Sequence, residues 1–542
     1  MGKSFDTSKI KVAVGLSGGV DSSVTALLLK KAGFDVTGVY LKCYWTHVGC
    51  SSDKDRSSAV KVASFLSLPF EVWDFSKEYK EKVIDYFYAE YEKGRTPNPD
   101  VVCNREIKFG LFYEKAVKER GFNFIATGHY AGTEIRGRRV KSKGQSNIIA
   151  PFYYQESGEG DNRDIKLVIE PKYFELLEQK SKKEAHFYTY YSGPSIFGGV
   201  DKKKDQSYFL YDIEEKAIEH SLYPLFGLLK SDVRQMAKSS NLPTANRPDS
   251  QGICFIGEIN IEKFLKERIA EHEGAVVDVS GNVIGRHKGI EFYTIGQRHG
   301  FRVDSRVSAE TDDEEASDSR KNSLKESPIP SDGMVPLQRS LLHKSSPRKA
   351  FHPANLKGQY RGPLYVIGKE AGRNRLVVGV GEECKRDKFT ITNGQWTKNS
   401  GEEIYQLSIV NCQLFVRIRN LGEMIPCRVG AGFGSALKGT ATRSLGDHNE
   451  SLPDRSLVAR HAPDSGSFAE DASSVTARRT FKPVSSTLEV KLECPVFGVA
   501  PGQSAVFYRQ LQTTNYQLPT VFEVVGGGVI DEGKSGFLKA NP

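Results

Sequence analysis

The sequence predicts an α/β protein with a doubly wound parallel-sheet domain, a small central domain and a C-terminal β-barrel. Three observations lead to this fold class. Apolar strands alternate with amphipathic helices from residue 10 to residue 126, which is typical of a parallel sheet with helices on both faces. Short, evenly spaced strand patterns with almost no helical pattern fill the last third of the chain. Stretches rich in Ser, Asp, Glu and Pro interrupt these regions.

The first strand and the first helix have the clearest pattern. Residues 10–14 are apolar apart from Lys11, residues 22–31 carry apolar side chains at helical spacing, and Gly33 ends the helix. The same criteria predict strands at 36–41, 70–73 and 124–126, and helices at 57–66, 79–92 and 107–120. In the last third they predict strands at 364–368, 375–379, 414–419, 487–492 and 504–508.

Changes in composition divide the 542 residues into domains. The parallel-sheet domain is expected at 1–257, with a polar insert at about 132–199, and the small central domain at 258–302. A disordered insert is expected at 303–355, because it has too few bulky apolar residues to offset the entropy of the chain. The barrel domain is expected at 356–542, with a second disordered insert at about 430–486.

Composition excludes some classes of protein. No apolar run reaches the roughly 18 residues of a membrane span, and the first strand begins too early for a secretory signal. Eight cysteines in so long a chain do not form a disulfide scaffold, which indicates a reducing compartment. We therefore expect a cytoplasmic protein, or an organellar one in a eukaryote. The net charge of +9, from 76 basic and 67 acidic residues, permits a polyanionic partner without requiring one.

The junction between the first strand and helix, VAVGLSGGVDSS at 12–23, predicts a phosphate site. Gly18 and Gly19 allow close approach of the backbone to a ligand, and Ser17 and Ser22 offer hydroxyls. Free amides at a helix N-terminus, aided by the helix dipole, favour an anion. No Lys follows the glycines, so the loop is not the G-x-x-x-x-G-K-[ST] nucleotide loop. A tight turn without a ligand is the simpler alternative.

The pattern SGGVDS resembles the pyrophosphatase loop (PP-loop) of the N-type ATP pyrophosphatases, which split ATP between its α and β phosphates. On this resemblance Asp21 helps to hold Mg²⁺ with the nucleotide. Leu41 and Gly128 also follow predicted parallel strands, whose carboxyl ends meet at one edge of a sheet. The residues expected to bind ATP are Gly15, Leu16, Ser17, Gly18, Gly19, Val20, Asp21, Ser22, Leu41 and Gly128.

Two cysteines lie in polar loops punctuated by Gly and Pro. The sequence GRTPNPDVVCN presents Asn98, Asp100 and Cys103 together at a predicted helix start, which favours ionisation of the thiol beside a proton acceptor. Cys254 lies in RPDSQGICFIGE. An isolated cysteine is usually a small buried hydrophobe, and we keep this interpretation for Cys43, Cys50, Cys384, Cys412, Cys427 and Cys494. No Cys-x-x-Cys pair indicates zinc or an iron–sulfur cluster.

At this point a narrower resemblance emerges. SGGVDSS, GRTPNPDVVCN, ATGHYA, KDQSYFLY, PTANRPDSQGICFIGE, YTIGQRHG, RIRN and PGQSAVFY occur in the order found in the tRNA-specific 2-thiouridylases of bacteria and organelles. The match covers nearly the whole chain apart from the three inserts. It implies a tRNA-uridine 2-sulfurtransferase that uses ATP to make 2-thiouridine at the wobble position (position 34) of tRNAs for lysine, glutamate and glutamine. It also implies that 1–257 is catalytic and that 258–302 binds tRNA.

The resemblance implies a role for each part of the site. Cys254 receives sulfur as a persulfide from a cysteine-desulfurase relay, and Cys103 is the nucleophile that forms a transient disulfide with it. Asp100 acts as acid or base, and Asn98, Pro99 and Asp100 line the pocket for the target base. Residues expected to contact tRNA are His129, Lys204, Asp205, Gln206, Arg419, Asn420 and Gln503.

Two of these positions depart from the family pattern: Leu41 stands where the family usually has Met, and Asn420 where it commonly has Tyr.

We expect a monomer that uses ATP and Mg²⁺. Another PP-loop enzyme, of the amidating or tRNA lysidine synthetase type, would keep the loop but need neither cysteine. A nonenzymatic tRNA-binding protein would keep the basic positions and lose the ATP requirement.

Overall fold

A computed structural model describes most of the predicted domains. The described residues are 6–43, 52–138, 146–149, 152–157, 164–169, 191–249, 254–255, 260–304, 362–396, 413–431, 487–511 and 521–531. The predicted disordered inserts at 303–355 and 430–486 lie outside them, apart from two residues at each described edge. No helix in the described part is long and apolar enough to cross a membrane.

The elements are numbered in chain order. The strands are β1 (Lys11–Gly15), β2 (Asp35–Lys42), β3 (Phe70–Asp74), β4 (Phe124–Ala126), β5 (Ala131–Arg138), β6 (Ser146–Ile149), β7 (Phe152–Ser157), β8 (Asp164–Ile169), β9 (Tyr191–Gly198), β10 (Ser221–Leu222), β11 (Gly274–Val277), β12 (Val283–His287), β13 (Arg302–Val303), β14 (Tyr365–Glu370), β15 (Arg375–Gly379), β16 (Lys385–Trp396), β17 (Leu414–Arg417), β18 (Ile425–Ala431), β19 (Leu488–Phe497), β20 (Ser504–Leu511) and β21 (Val521–Asp531).

The helices are α1 (Val20–Lys31), α2 (Ser52–Phe65), α3 (Ser76–Tyr79), α4 (Asp85–Glu92), α5 (Pro99–Cys103), α6 (Glu215–Glu219), α7 (Lys230–Ser239) and α8 (Ile261–Leu265). A π-helical turn, Lys80–Ile84, joins α3 to α4. Two further π-helical segments, Asn104–Leu111 and Glu114–Glu119, extend the chain beyond α5.

The first domain is built on a parallel sheet of order β10-β4-β1-β2-β3, which confirms the predicted fold class. Alternate residues of β1 face opposite sides of this sheet, as the period of a strand requires. Val12 and Val14 pack with α1, α2 and α7, whereas Ala13 packs with α3, α4 and the chain around Cys103. Both faces of the sheet are covered, and in sheets of this kind ligands bind at the carboxyl ends of the strands, where the polar loops lie.

The C-terminal strands close into an antiparallel barrel of order β16-β19-β18-β17-β20-β21, because β16 also pairs with β21. The predicted polar insert at 132–199 contributes to the same sheet. Its first and last strands, β5 and β9, pair with each other, and β9 pairs with β21. The insert lies within the sequence of the parallel-sheet domain, but its strands β5, β6 and β9 extend the sheet of the barrel.

The central domain is a sheet of order β13-β12-β11-β15-β14. Its strand β11 is parallel to β15, with Ala275 opposite Arg375. β14 and β15 lie within 356–542, which the sequence assigned to the barrel domain, and they complete the central sheet through this pairing. The central domain is consequently formed from both sides of the segment 305–361, which lies outside the described residues.

Buried polar contacts attach the barrel to the parallel-sheet domain. Asp205 is 1% exposed and accepts a 2.9 Å hydrogen bond from Arg417 of β17. The Tyr208 hydroxyl lies 2.9 Å from the carbonyl oxygens of both Ile418 and Ser504. The amide of Thr96 donates to the carbonyl of Pro501 over 2.8 Å. These contacts hold the Asn98–Cys103 segment against the barrel.

Candidate functional site

The loop between β1 and α1 has the form of an anion cradle. Gly19 is the N-cap of α1 and has no side chain to cap it, so the helix N-terminus is open to a ligand. The Ser17 and Ser22 hydroxyls lie 3.1 Å apart, and Ser22 Oγ accepts from the Ser17 amide. Gly15 ends β1, while Leu16 and Val20 are buried on either side of the loop. The hydroxyls and backbone amides therefore gather at one edge of the sheet.

Gly18 and Gly128 are required by close packing. Gly18 has φ of +77°, and a Cβ there would collide with the carbonyl oxygen of Asp55. A Cβ on Gly128 would lie 2.8 Å from the Ser22 amide nitrogen. Gly128 thus lies against the start of α1, as predicted. Leu41 lies near the end of β2 with its side chain buried on the face opposite α1.

A cluster of cations beside the loop was not identified from the sequence. Lys230 is 13% exposed and its Nζ lies 2.6 Å from Asp21 Oδ1 and 2.9 Å from Asp249 Oδ1. Arg247 donates to the Gly18 carbonyl oxygen over 2.8 Å. Lys204 also pairs with Asp249, at 2.8 Å, and the two lysines hold the pKa of this carboxyl below its ordinary value despite the opposing effect of burial. The PTANRPD motif at 243–249 supplies Arg247 and Asp249 to this cluster, but the Gly18 carbonyl that Arg247 contacts lies 229 residues earlier in the chain, so the sequence alone did not connect them.

The described residues contain no group of three or more His, Cys, Asp or Glu that fits a metal ion. Asp21 is engaged by Lys230 and by the Tyr130 hydroxyl, which lies 3.0 Å from its Oδ1. Asp21 lies in the first turn of α1, directly after the loop, and a carboxylate there is the type of ligand that Mg²⁺ bound with a nucleotide uses.

Cys103 and Cys254 lie side by side and pack in the hydrophobic cluster on the face of the sheet covered by α3 and α4. Cys103, at the end of α5, is fully buried, and Cys254 is half-buried and hydrogen-bonded to it through the two sulfur atoms. The Cys254 amide donates to Asp100 Oδ1 over 2.9 Å, and its carbonyl accepts from the Tyr79 hydroxyl over 2.6 Å. Lys108 Nζ lies 3.3 Å from Cys254 Sγ. The structure thus brings together Asp100, Cys103 and Cys254, as predicted.

The two thiols have opposite pKa shifts. The hydrogen bond from Cys103 lowers the pKa of Cys254, and the Lys108 ammonium lowers it further, against the effect of burial. Burial raises the pKa of Cys103 well above its ordinary value, and the neighbouring Cys254 adds to this. The sequence-based expectation that the helix start ionises Cys103 is therefore wrong. Its position one turn into α5, in the apolar interior, outweighs the effect of the helix end.

The segment predicted to receive the target base begins α5. Asn98 is the N-cap and its Oδ1 accepts from the Val101 amide, while Pro99 occupies the first turn. The Asn98 side chain also hydrogen-bonds to Tyr208, which contacts the barrel. Pro99 is buried, whereas Asn98 and Asp100 are half-buried. These contacts fix the carboxylate of Asp100 next to Cys254.

The residues predicted to contact tRNA fall into two groups. His129 and Asp205 are buried. A hydrogen bond of 2.8 Å joins His129 Nδ1 to the Thr127 hydroxyl, and burial lowers the pKa of this histidine. Asp205 binds Arg417. The other group lies nearer the surface. Arg419 is exposed, and Lys204, Gln206, Asn420 and Gln503 are half-buried. Contact of either group with tRNA stays a prediction.

The other cysteines differ in exposure. Cys43, Cys384 and Cys427 are buried, as small hydrophobes are, and burial raises the pKa of Cys427 to about 12. Cys494 is exposed, so the buried interpretation is wrong for it: it lies on an outward-facing position of β19. Cys50 and Cys412 lie outside the described residues.

Comparisons with protein-family models match three parts of the chain. A model described as a tRNA methyl transferase HUP domain matches residues 10–154 and 181–258. A tRNA methyl transferase PRC-barrel domain matches 262–311, and an aminomethyltransferase β-barrel domain matches 472–530. The matched segments correspond to the parallel-sheet, central and barrel regions described above.

Curated relatives carry a more specific name. A tRNA-specific 2-thiouridylase MnmA of Listeria monocytogenes serotype 4b is 38% identical over 304 residues, which cover 55% of this chain and 67% of the relative. The protein of the same name from Bacillus subtilis is 37% identical over 297 residues, covering 54% and 65%. A solved structure of a predicted tRNA methyltransferase subunit from Methanocaldococcus jannaschii matches at 14% identity, with a TM-score of 0.21, over 42% of this chain and 76% of that one. That score is too low to establish a common fold.

Proposed function

The chain belongs to the tRNA-specific 2-thiouridylase family, and on that premise we propose that it catalyses ATP-dependent 2-thiolation of the wobble uridine in tRNAs for lysine, glutamate and glutamine. One observation supports this reaction most strongly. Cys103 and Cys254, which lie in widely separated segments, are hydrogen-bonded next to Asp100, in the domain that also holds the PP-loop. Neither ATP cleavage alone nor RNA binding alone requires such a pair of thiols.

The first step makes the C2 oxygen of uridine a leaving group. This oxygen attacks the α-phosphorus of ATP, the bond to the β-phosphate oxygen breaks, and pyrophosphate leaves. The open helix N-terminus at Gly19 and the hydroxyls of Ser17 and Ser22 are suited to bind the phosphates. Lys230 and Arg247 add positive charge there. Mg²⁺ bound with ATP, with Asp21 as a ligand, would neutralise part of the phosphate charge.

The second step replaces oxygen by sulfur. A persulfide on Cys254 attacks C2, the C2–oxygen bond breaks, and AMP leaves with the electron pair. The Cys103 thiolate then attacks the Cys254 sulfur, so that the S–S bond breaks, sulfur stays on C2, and a Cys103–Cys254 disulfide forms. Alternatively, Cys103 attacks first and frees hydrosulfide, which displaces AMP. Both orders end in the same disulfide, and an external dithiol must reduce it.

Asp100 is suited to act as the acid or base of this step. Its carboxylate already accepts from the Cys254 amide, so it is held next to the sulfur that reacts. The proton on the Cys103 thiol must be removed before attack, because burial keeps that thiol protonated. We propose that Asn98 and Pro99 line the pocket for a uridine flipped out of the anticodon stack.

The partners follow from the same chemistry. We propose that a cysteine-desulfurase relay supplies the persulfide and that the enzyme acts as a monomer. The net charge of +9 favours tRNA, and exposed Arg419 with Lys204 and Gln503 would contact its phosphates or bases. The buried His129 and Asp205 would support this surface from beneath, whereas Gln206 and Asn420 lie close enough to the surface to contact RNA.

A single assay tests the proposal. Purified protein is incubated with ATP, a persulfide donor, a dithiol and unmodified tRNA for lysine, and the nucleosides are analysed by mass spectrometry. We expect 2-thiouridine with wild type and a loss of at least about a thousandfold with Cys254→Ser, since serine cannot carry sulfane sulfur. ATP binding should be retained by this variant.

Cys494→Ser is the matched control, because this cysteine is exposed and lies on the barrel. It should leave the yield of 2-thiouridine unchanged. Absence of product with wild type, or full product with Cys254→Ser, would contradict the proposal. Omitting ATP separates the enzyme from a protein that only binds tRNA, and the cysteine variants separate it from other PP-loop enzymes.

A further inference from the structure

Lys108 lies at the centre of the thiol site and has no role in the chemistry described so far. It belongs to the π-helical segment Asn104–Leu111, about one turn after Cys103. Its Nζ donates a 3.3 Å hydrogen bond to Cys254 Sγ and lies 5.6 Å from the centre of the Phe255 ring. The side chain is half-buried, so water screens its charge less than it screens the charge of a fully exposed lysine.

The groups that face this lysine explain why it stays charged. Burial opposes the ammonium, but Cys254, Cys103 and Asp100 favour it, and they raise the pKa of Lys108. From the other packed elements, Cys43 at the end of β2 interacts with Lys108 and Cys254, and His129 after β4 is kept neutral by burial and by the same ammonium. The Tyr79 hydroxyl on α3 contacts the Cys254 carbonyl rather than its sulfur.

We propose that Lys108 is a positioning residue that makes Cys254, and not Cys103, the acceptor of sulfur. Its ammonium pairs with the Cys254 thiolate and holds the sulfur in one orientation. Cys103 is the buried neighbour that donates a hydrogen bond instead. This proposal rests on the proposed thiolation, because sulfur acceptance at Cys254 is a step of that reaction.

The chemistry of acceptance shows what the charge contributes. The Cys254 thiolate attacks the outer sulfur of a donor persulfide; a new S–S bond forms, the donor S–S bond breaks, and the donor thiolate leaves with the electron pair. The resulting Cys254 persulfide is also an anion at neutral pH, so the same ammonium pairs with the product. The lysine therefore favours the thiolate before transfer and the persulfide anion after it.

The test measures the reactivity of Cys254 without tRNA or ATP. Reduced protein is alkylated with iodoacetamide between about pH 5.5 and 9.5, and peptide mass spectrometry gives the rate at Cys254 itself. For wild type we expect a midpoint below the ordinary thiol value of about 8.5. For K108M we expect a midpoint higher by about one pH unit or more, which reduces the rate at pH 7 about tenfold.

Two variants separate charge from packing. K108R retains the cation and should keep a midpoint close to that of wild type. K115M is the control, because the Lys115 ammonium lies over the rings of Trp73 and Phe75, at 5.3 and 5.6 Å from their centres. It should leave the profile unchanged. If K108M does not fold, K108Q answers the same question with a neutral side chain of similar length.

A second readout follows sulfur loading. After incubation with a persulfide donor, cyanolysable sulfur on Cys254 should fall about tenfold in K108M at pH 7 and recover near pH 9, where the thiol ionises without help. A purely structural defect would not recover with pH. An unchanged midpoint in folded K108M or K108Q, or loss that persists at high pH, would overturn the proposal. Neither readout measures 2-thiouridine, so a failure here is distinct from a failure of the proposed function.

Discussion

The phosphate loop and the thiol pair belong to one domain but are built in different ways. The loop is formed mostly by neighbouring residues: Ser17, Gly19 and Ser22 contact one another within a single turn. The thiol pair joins Cys103 at the end of α5 to Cys254, with Asp100, Tyr79 and Lys108 arranged around it from two segments.

This difference determines what each region can do alone. A local loop keeps its shape wherever its strand and helix pack correctly, so its binding of phosphate depends on few distant contacts. The reactivity of the thiols depends on groups brought together by the whole domain, which lower the pKa of Cys254 and raise the pKa of Cys103. Variants can therefore separate the two regions.

The largest difference between the effect on thiolation and the effect on ATP binding is expected for Asp100→Ala. Removing the carboxylate leaves the Cys254 amide without its acceptor and removes the proposed acid or base. We expect 2-thiouridine formation to fall about a hundredfold or more, with ATP binding largely retained. Single-turnover thiolation and calorimetric titration with ATP measure the two effects.

Asp100→Asn is the matched control for position. Its amide oxygen can still accept from the Cys254 amide, but it carries no charge. Recovery of most activity in the Asn variant would assign Asp100 to positioning alone. Equal loss of ATP binding and thiolation in the Ala variant would show that the two regions are not separable.

An effect of intermediate size, on ATP binding by the phosphate loop, is expected for Gly18→Ala. The positive φ and the collision with the Asp55 carbonyl oxygen should distort the loop. We expect ATP affinity to fall about tenfold, from a cost of about 1–2 kcal/mol for a left-handed alanine. Alkylation of Cys254 should be unchanged, which calorimetry and peptide mapping together would show.

Gly372→Ala is the control for the substitution itself. A Cβ on Gly372 meets no atom within 4 Å, and the backbone of this residue is not in the left-handed region. Gly372 lies between β14 and β15 of the central domain, away from the phosphate loop, so ATP affinity should stay within about twofold of wild type. If Gly18→Ala binds ATP as tightly as this control, the argument from backbone strain fails.

The smallest effect is expected for deletion of residues 308–345. This stretch lies outside the described residues, between β13 and β14, and the sequence predicts a disordered spacer there. We expect thiolation within about twofold of wild type, measured in the same assay with melting temperature as a check of folding. Lost activity in a folded variant would give the segment a function that neither region explains.

Local pattern was enough to predict the phosphate loop and the parallel sheet. Gly18, Gly19 and the following helix signal their geometry through neighbouring residues, and β1, β2 and β3 appear close to the expected positions. Of the barrel strands, β17, β19 and β20 were also predicted from their local pattern, whereas β16, β18 and β21 were not. The pairing of β9 with β21 was not, because hydrogen bonding between distant strands leaves no mark in the periodicity of either one.

The chemistry of the thiol site was also only partly predictable from the sequence, because it depends on contacts between distant segments. The resemblance brought Cys103 and Cys254 together, but sequence context alone assigned the ionised state to Cys103. Burial reverses this assignment, and burial is a property of the packed domain. Lys108 and Lys230 were missed for a related reason: each meets its partner only after the chain has folded.

The pairing of β9 with β21 has a consequence for how the chain is made. Phe197 lies opposite Glu523, so β21, the partner of β9, leaves the ribosome more than 300 residues after β9. Until then this edge of β9 is exposed. At about 5–20 residues per second this interval lasts roughly 15 to 65 seconds. During that time the unpaired edge is a template for association with other chains. Production of the protein should therefore depend on chaperones that shield nascent strands.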